Sequence, residues 1–60
     1  MNSARWIHDD SREQWAFVDD KGKTHATIND EWGQGMPNRG VALLNMQLSV
    51  SLAWHQKNTA

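Results

Sequence analysis

Between Asn45 and His55 apolar and polar residues alternate almost without a break. Met46, Leu48, Val50, Leu52 and Trp54 are apolar, and Asn45, Gln47, Ser49, Ser51 and His55 stand between them. Only Ala53 is neutral to the pattern. A period of two residues places large side chains together on one face of a β-strand. The alternation therefore predicts a strand over residues 41–56, with Leu48, Val50 and Leu52 buried together and Ser49 and Ser51 more exposed.

The same residues also carry a helical reading. Residues 41–56 hold four Leu, two Ala, Met and Gln, among others, a composition that suits a helix nearly as well as a strand. At helical spacing Val41, Leu44, Leu48 and Leu52 form one apolar stripe, while Leu43, Met46, Val50 and Trp54 form a second on the opposite side. A helix apolar on two sides needs two partners, which a monomer of 60 residues hardly supplies. Length argues for the helix. About twelve strand residues extend about 40 Å, whereas a compact chain of this size has a radius of gyration of about 10 Å. About sixteen helical residues span only about 24 Å. A long strand must therefore bend, or pair with another chain. We take the strand as the expectation and the helix as its alternative.

Sixty residues make a single small domain, 1–60, in which burial barely offsets the entropy of ordering the chain. There are no cysteines, so neither a disulfide nor a thiolate-bound metal can staple the fold. Either the core is tight or oligomerisation helps. Outside the C-terminal segment the residues available to a core are Trp6, Ile7, Trp15, Phe17, Val18, Ile28 and Trp32. Four Trp and no Tyr is more tryptophan than so small a core readily encloses, and each indole N–H requires a partner when buried. The formal net charge is −1, with Arg5, Arg12, Lys21, Lys23, Arg39 and Lys57 spread along the chain. That distribution disfavours a dedicated nucleic-acid or membrane-surface protein. No stretch reaches transmembrane length, and the N-terminus lacks the apolar run of a signal peptide. A cytoplasmic location is expected.

Along the chain, residues 1–4 are short, polar and expected to fray. Residues 5–8 form a brief first strand. The acidic and small residues from Asp9 to Glu13 favour a turn, with a helical turn capped by Asp10 or Ser11 as the alternative. Residues 14–19 and 23–28 read as a hairpin, turning through Asp20, Lys21 and Gly22, where glycine supplies the positive φ. Residues 29–40 hold three of the four glycines and the only proline, and make a loop long enough to carry function.

Catalytic and metal motifs are weak throughout. His8, Asp9, Asp10, His25 and His55 lack the spacing of a metal site. The Asp19–Gly22 segment lacks the ligand ladder of a calcium loop. Ser51 and His55 share the polar face of a strand about 13 Å apart, and only on a helix would they be neighbours. Trp32-Gly33-Gln34-Gly35 has no phosphate-loop context. Arg5 beside Trp6 and Arg12 near Trp15 offer a cation and a ring for single-stranded nucleic acid, but Asp9, Asp10, Asp19 and Asp20 would repel phosphates.

These observations predict a mainly β fold, a small antiparallel sheet or partly open barrel with strands at 5–8, 14–19, 23–28 and a long bent C-terminal strand over 41–56. The alternative is α+β, a three-stranded sheet covered by a helix over 41–56. The function expected is that of a non-enzymatic protein-binding module, such as a small inhibitor, adaptor or accessory subunit, acting on a larger protein partner without a cofactor. A single-stranded nucleic-acid binder or a structural homo-oligomer is the alternative. The residues expected to bind the partner are Trp32, Met36 and Arg39 on the glycine-rich loop, with Trp6, because tryptophan and arginine dominate interface hot spots. The alternative for Trp32 and Met36 is that they fold back as a lid over one end of the protein's own core.

Overall fold

The computed structural model describes residues 3–59; Met1 and Asn2, within the stretch expected to fray, and Ala60 lie outside the described residues. The element order is β1 (Ala4–Asp9), β2 (Gln14–Asp19), β3 (Thr24–Asn29) and α1 (Arg39–Asn58). The strands form one antiparallel sheet in the order β1-β2-β3. The architecture is α+β, an open three-stranded sheet followed by one long helix.

Each hairpin is turned by an Asp side chain. After β1, Asp9 Oδ1 accepts the Ser11 N–H at 3.1 Å, the Arg12 N–H at 3.2 Å and the Ser11 hydroxyl at 2.7 Å. The turn is thus organised from Asp9, and not from a helical cap at Asp10 or Ser11. After β2, Asp19 Oδ1 accepts the N–H groups of Lys21 and Lys23, both at 2.9 Å. Gly22 takes φ 84°, a region that costs any residue with a Cβ. The β2–β3 hairpin turns where the sequence predicts, with Phe17 opposite Ala26 and Val18 opposite Thr24. The register shift between those pairs leaves His25 as the extra residue of a bulge.

The long C-terminal strand does not form, and with it goes the mainly β sheet or barrel. Residues 39–58 are α-helix. Each strand of the sheet has six residues and extends roughly 20 Å. A strand over 41–56 would overrun any of them and leave backbone donors and acceptors unpaired for about half its length. The helix satisfies those groups internally over about 30 Å. The expected burial changes with it: Leu48 and Leu52 are exposed, while Val50 and Ser51 are both half-buried.

Phe17 fixes where the helix lies. Its ring is fully buried, 5.2 Å from Trp6 and 5.9 Å edge-on from Trp54, so one ring links β1, β2 and α1. Trp6 Nε1 donates to the Gln47 carbonyl at 3.0 Å, satisfying the donor that a buried indole must place. The core is small: among the described residues only Ala16, Phe17 and Ile28 are apolar and buried. Phe17 and Ile28 face the helix side of the sheet, and Ala16 sits on the other face between Ile7 and Thr27.

The helix ends differ. At the start Asn38 is left-handed (φ 58°) and makes no side-chain cap, and the first turn has no acidic residue. At the finish Asn58 Nδ2 donates to the Trp54 carbonyl and the Thr59 hydroxyl to the His55 carbonyl, both at 2.7 Å. These bonds satisfy terminal acceptors, and Lys57 in the last turn suits the helix dipole.

Candidate functional site

The surface of α1 divides into three sectors. Leu43, Gln47, Val50, Ser51 and Trp54 lie toward the sheet and are half-buried. About a third of a turn round the helix, Val41, Leu44, Leu48 and Leu52 are 61, 54, 58 and 60% exposed. Residues three and four apart stack along one side of a helix, so these four make a continuous ridge. The third sector, Asn45, Ser49, Ala53 and Gln56, is small or polar and exposed. No Asp, Glu, Lys or Arg occurs from Gly40 to Gln56. The ridge therefore offers roughly 400 Å² of apolar surface, the size of the largest patch on a typical soluble monomer and often a functional one, and the charged residues of its helix, Arg39 and Lys57, stand at the two ends.

The four residues expected to bind a partner are placed differently. Met36 is exposed on the loop that leads into α1. Trp32 is half-buried, and its carbonyl accepts Arg39 Nε at 2.6 Å. Arg39 Nη2 also donates to the Asp30 carbonyl. Arg39 thus ties the loop to the first helical turn, at the end of α1 where a cation is least favoured by the dipole. Trp6 lies at the sheet–helix junction. Trp32 and Arg39 come together through the backbone, while Trp6 works between β1 and α1. The ridge itself was not among the expected binding residues. Its signal was present as the first of the two helical stripes, and became decisive only once Leu43, Val50 and Trp54 of the second lay toward the sheet, with Met46 left exposed.

Ionisable groups cluster on the sheet side. His8 Nδ1 meets Asp10 at 2.6 Å and Nε2 meets Asp30 at 2.9 Å. The hydrogen bonds to Asp30 and then Asp10 raise the His8 pKa above its ordinary 6.5. His25 Nε2 lies 2.7 Å from Asp19. That bond, with the Lys23 and Lys21 amides, holds the Asp19 carboxyl down at about 2. The Ser11 hydroxyl, chiefly, lowers Asp9. These pairs fasten turns and the start of the loop. Among the described residues no group of three or more His, Asp or Glu is arranged to hold a metal ion.

Ser51 and His55 are neighbours on the helix, with the hydroxyl 3.3 Å from His55 Nδ1. That nitrogen also lies 2.7 Å from the Ser51 carbonyl, an acceptor to which it must donate. A protonated Nδ1 cannot take the serine proton, so the pair is not arranged as nucleophile and base. No helix among the described residues is long and apolar enough to cross a membrane. Comparison with protein-family models, with curated proteins and with solved structures found no match.

Proposed function

We propose that the chain is a non-enzymatic protein-binding module whose contact surface is the ridge of Val41, Leu44, Leu48 and Leu52, with Met36 on the adjoining loop. The observation that carries this reading is an apolar, uncharged ridge left open along a helix whose other apolar side already covers the sheet. Burying roughly 400 Å² of such surface is worth about 10 kcal/mol before association costs. Those costs are about 4–15 kcal/mol, so affinity depends on how closely the partner fits the ridge. A single-stranded nucleic-acid binder is a weaker reading. Trp6 and Trp54 are packed on Phe17 instead of standing free as stacking platforms. The ridge also has no cation to meet a phosphate.

The test compares Leu48→Glu with Ser49→Glu, one substitution on the ridge and one on the neighbouring polar sector. Both positions are exposed, so both variants should keep the far-ultraviolet circular dichroism of the parent. Leu48→Glu should abolish partner binding in a pull-down or calorimetric titration, and Ser49→Glu should retain it. Equal binding by the two would remove the ridge from the site.

A further inference from the structure

We infer that the occupant of the α1 ridge is a second copy of this chain, paired antiparallel through the same four residues. This rests on the ridge being a contact surface and adds the identity of what it contacts. Three observations on the isolated chain favour a copy of itself.

The first is a shortfall of burial. Among the described residues only Ala16, Phe17 and Ile28 form the buried apolar core, and the chain measures 39 × 24 × 10 Å with a radius of gyration of 12.3 Å. A compact chain of this length would have about 10 Å. Domains this small ordinarily complete their stability with disulfides, a metal or oligomerisation. There is no cysteine and no metal cluster among the described residues, which leaves association. A second copy is present whenever the chain is.

The second is charge. The uncharged run from Gly40 to Gln56 meets its own image without like-charge repulsion. It gives no handle to an acidic or basic partner, and it lacks the Lys and Arg with which an interfacial helix grips anionic lipid.

The third is spacing. With two helices antiparallel, Val41 falls opposite Leu52 of the second copy and Leu44 opposite its Leu48, so every ridge residue has an apolar counterpart. That is the self-complementarity a two-fold interface requires, and the helix dipoles then oppose one another. Leu44, Leu48 and Leu52 follow an i, i+4 row, the kind of ridge that seats in the groove of a facing helix. Two ridges bring together roughly 800 Å² of apolar surface. With Asn45 and the exposed part of His55 at the flanks, the total reaches about 1,000 Å², the least that a specific interface should bury.

Sedimentation equilibrium of the full chain, over a wide concentration range, should show a mass rising from 6.9 kDa to twice that value. Leu44→Lys and Leu48→Glu should each be monomeric alone, because each sets two charges against leucines. Mixed in equal amounts they should form a heterodimer, with one opposite-charge pair and one Leu44–Leu48 pair. This rescue also distinguishes a lost interface from a variant that fails to fold. A parent that stays at 6.9 kDa throughout would overturn the inference, as would a dimer unaffected by either substitution. A monomeric parent that binds phosphatidylcholine vesicles, and loses them on Leu48→Glu, would make lipid the occupant and overturn it too. If the parent is monomeric but a different protein is released by Leu48→Glu, the second copy fails while the protein-binding reading survives. If neither self-association nor any other binding depends on Leu48, both fall.

Discussion

Phe17→Ala and Leu48→Ala, measured side by side, separate the two apolar faces of α1. Phe17, in β2, is 0% exposed and packs its ring against both β1 and α1, whereas Leu48 is 58% exposed. Truncating a buried Phe to Ala costs about 3–5 kcal/mol in a core that cannot collapse around the gap. Here the gap is bounded by Trp6 and Trp54, large rings whose positions are fixed from opposite sides. A domain of this length has about 3–9 kcal/mol in total, so Phe17→Ala should remove much or all of the cooperative transition. Full burial of a Leu is worth about 1.5–3 kcal/mol. Leu48 realises less than half of that in the single chain, and Ala regains a few tenths through helix propensity. Leu48→Ala should therefore cost about 1 kcal/mol or less. The assay is urea unfolding followed by circular dichroism at 222 nm, at a concentration below any self-association. A Leu48→Ala loss equal to that of Phe17→Ala would mean that the ridge is core and that the helix faces the other way.

Trp6→Phe should cost about 1 kcal/mol through the lost Nε1 bond to Gln47, with some added loss of packing; an unchanged urea midpoint would show that the bond does not hold α1 to β1. Asp19 is depressed to about 2 from 3.8, so its stabilising effect is complete above the unfolded value and is lost as pH falls through about 2. Acid unfolding of Asp19→Asn should accordingly be less steep over that window, and an unaltered acid limb would refute the role given to the Asp19 side chain. His8 is raised above 6.5, so its contribution is full below that pH and fades as pH rises through the elevated value. A proton NMR titration should place the His8 midpoint above 6.5 and return it toward normal in Asp30→Asn; a midpoint at or below 6.5 in the parent would contradict the paired geometry. Gly33→Ala forces a Cβ to φ 77° and to within 3.3 Å of both Arg39 and Met36 side chains, so thermal melting should show a destabilisation of about 1–2 kcal/mol, and a neutral result would mean that the loop conformation is not held.

The hairpin was legible because its information is local. Asp19 turns the chain with its own carboxylate, Gly22 supplies the positive φ, and Thr24, Thr27 and Ile28 suit a pleated surface. None of those needs a distant residue. Three strands and the turns between them could be read on that basis, with boundaries within a residue or so of the observed ones. Trp32 and Met36 could be read either as a lid on the core or as exposed surface, and the half-burial of Trp32, the exposure of Met36 and the loop-tying role of Arg39 depend on where the loop folds back.

From Asn45 to Trp54 the chain is locally ambiguous, and tertiary structure decided it. Apolar residues at every second position also make i, i+4 pairs, and Val41, Leu43 and Leu44 just before them add the i, i+3 spacings, so the stretch satisfies both periods at once. An isolated helix of this length is marginal in water, so propensity could not choose. The choice came from the sheet. Strands of six residues can pair with only part of one of sixteen, and the face bearing Trp6, Phe17 and Ile28 needs a cover that a helix provides through Trp54 and the Gln47 carbonyl. The same packing decided which stripe stays outside. A helix laid on one side of a single sheet has only one face to bury, so the side with Trp54 went in and Val41, Leu44, Leu48 and Leu52 remained in water.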